Sequence, residues 1–421
     1  MAAQATAPGA PRPAAGRLGP RPLAHHLAVA ATTWLGSTAV LPLLSGASPV
    51  WKPELQVPLA ELRASLANAD PDAFAAAVGA AARRRLDRFL TGIEAYRRHP
   101  YRRDLADPPA LWRDGNTRLL AYGARGGRRR RGRVCVLVVP SLINRAYILD
   151  LAAEHSLMRY LAARGIDVYL VDWGAPGPAE RGFALTDYIA GRLEGALDAM
   201  RAAAGGPAVV VGYCMGGLLA LALAQRRARD LAALVCLATP WDFHAERPAQ
   251  ARALGQLAGA FEPLLLALGA LPVDVIQLLF AGLDPFAVIR KFLDFAGLDP
   301  GSPRAHRFVA LEDWLNDGVP LAAPVARECL VGWYGANTPA RGEWRVAGRP
   351  VLPAGIDLPS LVVLPGADRI VPPASARALA DALPRAERLC PAAGHIGMIA
   401  GVDAQEKLWR PLADWIEARG G

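Results

Sequence analysis

The sequence predicts an α/β fold: a mostly parallel sheet with helices on both faces, carrying an inserted helical cap and preceded by an N-terminal helical region. Three observations lead there. Continuous apolar strands alternate with helix-patterned segments from residue 134 onward, which means a sheet buried on both faces. That alternation stops at residues 244–350 and then resumes, as it does when a cap is inserted into an α/β repeat. Residues 59–99 read as helices before any strand pattern begins.

Residues 1–22 are rich in Ala, Pro and Gly without periodicity and are expected to form a disordered tail, dispensable for folding. Leu27 to Trp51 carries one charge-free run after Arg12, Arg17 and Arg21, superficially like a signal peptide ending in Ser-Gly-Ala. Gly36, Pro42 and several Ser and Thr interrupt it, so the expectation is a helix packed on the core or lying on an apolar surface. Asp70 is the expected N-cap of a long helix with Pro71 as its first residue. Strands follow at VCVLVV (134–139), DVYLVDW (167–173), AVVVGY (208–213), LAALVCLAT (231–239), SLVVLP (360–365) and ERLCPA (387–392), with helices at 156–165, 187–204, 215–227, from SARALADAL, and from Ala404 to Arg419. The domain reading is a tail at 1–22, a helical region at 23–116, and a catalytic α/β domain at 117–421 with its cap at about 244–350.

Composition excludes other classes. With 53% hydrophobic and 20% charged residues among 421, wholesale disorder, collagen-like repeats and coiled coils are ruled out. Five cysteines, an odd number with no C-x-x-C pair, argue against a disulfide scaffold or structural zinc and fit a reducing compartment. The net charge of +9 is local: residues 83–103 contribute +6 and residues 125–133 another +6, leaving −3 elsewhere. Neither basic stretch is interleaved with aromatics and no nucleic-acid fold motif is present, so nucleic acid is not the expected partner. A solvated face, phosphate-bearing small molecules and an anionic surface stay open.

The chemistry is concentrated at GYCMGG (212–217), where the third strand runs directly into a helix. G-x-C-x-G at such a turn is a nucleophile elbow with Cys214 in the nucleophile position; Gly212 and Gly216 let the bend pass close to neighbouring backbone. The following helix presents its positive end to the thiol. Alone, the motif is weak. In α/β-hydrolases the nucleophile is followed in the chain by an acid after a late strand and a His before the last helix, and Asp368 and His395 stand at those two places. An oxyanion hole would use the backbone N–H groups of Met215 and of Ile143, in PSLINR after the first core strand. His155 and His244 read as loop or pocket-lining residues, Asp172 as structural, and Cys135 and Cys236 as small buried hydrophobes. No metal ligand set is seen.

Taken together, VPSLINRAYILDL (139–151), VYLVDWGAPGPAERGFALTDYIAG (168–191), GYCMGG, ATPWDFH (238–244), DRIVPPASARAL (368–379) and GHIGMIAG (394–401) resemble polyhydroxyalkanoate (poly-3-hydroxybutyrate) synthases, most of all the catalytic subunit of the two-component, class III type. The likeness covers about residues 117–421. It implies an α/β-hydrolase fold and an acyltransferase with a Cys-His-Asp triad on Cys214, His395 and Asp368. It implies polymerisation of 3-hydroxyacyl-CoA into a growing polyester chain with release of CoA, no cofactor since the CoA thioester is substrate, a homodimer, and a cytoplasmic location on polymer granules. A second synthase subunit stays open, because the N-terminal region is longer than a class III catalytic subunit carries. The family often has His after the catalytic Asp, where Arg369 stands here.

Cys suits that substrate class, since a thiolate exchanges one thioester for another at little free-energy change. The cap would keep water from the acyl-enzyme, and the basic stretches, including Arg128 to Arg131, could meet CoA phosphates. The alternatives are a polyester depolymerase or acyl-CoA thioesterase on the same triad, and a non-catalytic granule-associated protein.

Overall fold

The computed structural model describes residues 16–45, 51–123 and 134–419. The whole basic loop at 125–133, Arg128 to Arg131 included, and residues 1–15 of the expected tail lie outside the described residues, as do 46–50 of the charge-free run. The chain divides into two compact units: Met1–Tyr101 with Asp284–Asn316, and Arg102–Leu283 with Asp317–Gly421.

The second unit is built on eight strands: β1 (Ala110–Asp114), β2 (Thr117–Tyr122), β3 (Cys135–Val139), β4 (Asp167–Asp172), β5 (Ala208–Tyr213), β6 (Leu231–Leu237), β7 (Ser360–Val363) and β8 (Ala386–Leu389). Their order is β1-β2-β4-β3-β5-β6-β7-β8. The pairs β1–β2 and β2–β4 are antiparallel and every other pair is parallel. Every residue of β3 and β5 is buried, which is why their sequences read as unbroken apolar runs. The helix Met215–Arg226 is buried from Met215 through Ala224, so it too is apolar all round. From β3 the chain moves outward to β4 and then returns to β5 on the opposite side. The carboxyl ends of β3 and β5 therefore flank the switch point where open α/β sheets bind ligands.

Two antiparallel strands at residues 110–122 extend the sheet ahead of the expected start at 117. They were not foreseen as strands because β1 is an exposed edge without an apolar run. In this unit the cap begins with the helix Pro248–Leu268, whose end is pinned by a short antiparallel pairing of Leu271 with Leu321 and Ala270 with Ala322. It continues through the π-helical turn Glu328–Gly335.

The first unit corrects the domain reading. Residues 284–316, expected in the middle of the cap, pack instead with the N-terminal helices. Phe89, Ile93 and Tyr96 of the helix Pro71–Arg98 share a buried cluster with Ile289, Phe292 and Phe295 of the helix Ala287–Phe295. Phe292 meets Phe89 and Tyr96 edge-on, at ring separations of 6.3 and 5.8 Å. Gly92 lets these two helix backbones touch, since a Cβ there would be driven into the Phe292 carbonyl oxygen. Asp70 caps the longer helix by accepting the Asp72 N–H at 3.0 Å, as its sequence suggests.

The described end of the expected tail is structured. The Arg17 guanidinium spans both carboxylate oxygens of Asp313, at 2.6 and 2.7 Å, and donates to the carbonyls of His99 and Tyr101. One arginine satisfying four acceptors outweighs the local lack of periodicity. The helix Leu23–Leu35 buries His26 and Ala30 within this unit, consistent with a packed helix. Among the described residues, no helix is long and apolar enough to cross a membrane.

Candidate active site

Cys214 sits at the end of β5 with φ 55° and ψ −125°, a strained backbone for a residue with a Cβ. Three contacts impose it. The Cys214 N–H donates to the Leu237 carbonyl at 2.8 Å, carrying the β5–β6 ladder one residue further. The Gly217 N–H donates to the Cys214 carbonyl at 2.9 Å, opening the helix. Gly216 lies so close to β3 that a Cβ would enter the carbonyl oxygens of Val139 and Pro140. The nucleophile position is thus fixed by backbone packing, with Cys214 at the positive end of a 12-residue helix.

Asp368 and His395 converge on it from the loops after β7 and β8. His395 Nδ1 donates to Asp368 Oδ2 at 2.7 Å, and both residues are 7% exposed. The other carboxylate oxygen of Asp368 accepts the backbone N–H groups of Ile370 and Val371 at 2.8 and 2.9 Å, which fixes its orientation. Burial by itself would lower the His395 pKa. The charge on Cys214, hydrogen bonds to Asp368 and Cys214, and the Asp368 charge outweigh it, and the imidazole is pushed up to about 10. His395 and Asp368 therefore form a buried hydrogen-bonded pair, and Cys214 acts electrostatically on its imidazole.

Met215 opens the helix, in the first turn where N–H groups lack intrahelical partners. Ile143 lies beyond β3, and its N–H is turned to the Ser141 hydroxyl at 3.4 Å, a long bond. Trp173 braces this loop by donating its indole N–H to the Pro140 carbonyl at 2.9 Å.

The competing residues are occupied elsewhere. His244 bonds the Tyr334 carbonyl at 2.8 Å at the root of the cap, and Asp172 pairs with Arg118 at 2.9 Å. His155 lies in a short strand pair with residues 150–152. Burial pushes the Cys135 and Cys236 thiols up to about 11 and about 12, which leaves them inert. Among the described residues, no cluster of three His, Cys, Asp or Glu could hold a metal.

Two residues beside the site were missed. Tyr213 stacks on the His395 ring and donates its hydroxyl to the His395 carbonyl at 3.2 Å. Tyr334, on the cap, packs edge-on against Phe243 at 4.9 Å; burial and the charges of Cys214 and Cys329 push its phenol upward. Tyr213 was visible inside GYCMGG, whereas nothing local marks Tyr334.

The alpha/beta hydrolase fold family matches residues 135–271, the stretch from β3 to the cap that contains the elbow. The poly(3-hydroxyalkanoate) polymerase subunit PhaC of Synechocystis sp. is 31% identical over 296 residues, which is 68% of this chain and 78% of that protein. The chain belongs to this family. The PhaC subunit of Allochromatium vinosum is 29% identical over 68% of this chain and 81% of its own length. That of Haloferax mediterranei is 27% identical over 73% of this chain, which spans 63% of the archaeal protein. A solved structure described as a putative non-heme bromoperoxidase, BpoC from Mycobacterium tuberculosis, shares 17% identity with a TM-score of 0.45, over 72% of this chain and 96% of that one. That distant likeness adds nothing to what the sheet order shows.

Proposed function

We propose that the protein is a polyhydroxyalkanoate synthase: an acyltransferase that polymerises 3-hydroxyacyl-CoA and releases CoA through a thioester on Cys214. The observation that carries this reading is the buried His395–Asp368 hydrogen bond beside the Cys214 elbow, at the switch point of a PhaC-family sheet.

The Cys214 thiolate attacks the thioester carbonyl, and the oxyanion is met by the Met215 and Ile143 N–H groups. The intermediate collapses to acyl-Cys214, and the CoA sulfur leaves with the proton of the His395 imidazolium. Acylation then changes the base. With Cys214 neutral, the charge that held His395 protonated is gone and burial favours the neutral ring. Neutral His395, oriented by Asp368, takes the 3-hydroxyl proton of the next 3-hydroxyacyl-CoA as its oxygen attacks the acyl-Cys214 carbonyl. The lengthened chain leaves on CoA and reloads Cys214, so each cycle joins one unit and frees one CoA.

The aromatic cluster of Phe243, Trp333, Tyr334 and Trp344 at the cap root supports exclusion of water from the acyl-enzyme. The same reading needs no resident cofactor. It takes a polymer granule surface in the cytoplasm as the working place, a homodimer as the assembly and a second synthase subunit as a candidate partner.

The test follows CoA release and product mass together from 3-hydroxybutyryl-CoA, with Cys214→Ala as control. CoA release with high-mass polyester, absent in the variant, is expected. CoA release with free acid alone would make the protein a thioesterase and sink the proposal.

A further inference from the structure

We infer that Tyr213 is a positioning residue for His395, holding the imidazolium face-on with its ring and anchoring the histidine loop with its hydroxyl. The inference rests on the role proposed for His395. Tyr213 is the last residue of β5 and precedes Cys214, so the strand that aims the nucleophile also carries the surface against which the base lies. The two rings are 5.2 Å apart and inclined by 28°, a stacked arrangement that few side chains besides an aromatic could supply. An aromatic face attracts a cation, so this contact favours protonated His395 over the neutral ring. The hydroxyl donates to the carbonyl of that same residue at 3.2 Å, holding the loop after β8 to the end of β5 from a position only 4% exposed.

The geometry divides labour around one imidazole. Asp368 fixes the ring by its Nδ1 edge, the Cys214 charge acts on it, and Tyr213 covers a face. The titratable groups facing His395 are thus Cys214, Asp368 and Tyr213, with Tyr334 reaching Cys214 from the cap. The stacked face of Tyr213 adds to the Asp368 hydrogen bond a restraint on the tilt of the ring out of its own plane. A ring free to rock would lose alignment with both the thiol and the incoming hydroxyl, which links this residue to both half-reactions.

The test is the pH profile of Cys214 alkylation by iodoacetamide, followed by mass spectrometry of the Cys214 peptide so that exposed Cys390 does not intrude. The intact protein should show a step near pH 10 as the imidazolium loses its proton. Tyr213→Ile should move that step down by about half a unit to one unit. Tyr213→Phe should keep the step and lower kcat several-fold at unchanged KM. A step that stays in place in Tyr213→Ile overturns the inference. Should that variant not fold, Tyr213→Phe decides: unchanged kcat overturns it, and reduced kcat with the step retained supports it. The absence of any alkaline step in the intact protein is a different failure, since it would remove the Cys214–His395 ion pair on which the proposed function stands.

Discussion

Each of the two compact units is held together internally by its own means. In the unit carrying the sheet, the residues that matter are fixed by main-chain contact: the Cys214 N–H on Leu237, Gly216 against Val139, and Asp368 under two backbone N–H groups. In the N-terminal unit the fastening is by side chains, an aromatic pile around Phe292 and a guanidinium bridging Asp313 to two carbonyls. A strand end aims a catalytic group because its backbone has nowhere else to go. A helix cluster has no such constraint and depends on what its side chains fill. Substitutions should therefore sort cleanly, with catalysis lost at constant stability in one unit and stability lost at constant chemistry in the other.

The sharpest separation should come from Cys214→Ala, which removes only a sulfur at the elbow. CoA release should fall by at least about 10⁴-fold while the melting temperature stays within a degree or two. Asp368→Asn should follow, with kcat down by about 10³- to 10⁴-fold, because an amide holds the imidazole in the wrong tautomer. In the other unit, Phe292→Ala opens a cavity at a side chain with no exposed surface and should cost about 3–5 kcal/mol in denaturant titrations. Its kcat per folded molecule should be unchanged; a large drop would break the division between the units. Arg17→Ala should cost less, about 1–3 kcal/mol, by leaving Asp313 and two carbonyls short of a donor.

The smallest expected effect is one of pH. His395 is held above its ordinary value, so the stability it contributes is fully present below about pH 6.5 and is lost as the pH rises through about 10. Cys214→Ala should shrink that loss, because the partner charge is gone. An equal alkaline loss in both proteins would assign it to other groups.

The same contrast governs how much could be read from sequence. The parallel strands were legible because burial on both faces leaves an unbroken apolar run, and the order of Cys214, Asp368 and His395 was legible because chain order maps onto successive strand ends. The β1–β2 hairpin was not, as an exposed edge strand lacks that run, although the Asp114-Gly115-Asn116 stretch between the two strands carries a turn signal. The helix Ala287–Phe295 was recognised as helical but assigned to the cap, since an apolar stripe says that a face is covered and not by what. The neighbours of His395 divide likewise: Asp368 was found by its place in the chain, while Tyr213 needed the stacking geometry to acquire a role.

The discontinuous make-up of the N-terminal unit also sets a timetable for synthesis. Tyr101 and Asp284 are separated by 183 positions, so at roughly 5–20 residues per second the N-terminal helices leave the ribosome about 10–40 s before the segment that completes their core. During that interval the faces of Phe89, Ile93 and Tyr96 have no Phe292 to cover them. A nascent chain stalled within the sheet is therefore expected to expose a sticky helical surface upstream and to recruit holding chaperones there, well before the elbow itself is at risk.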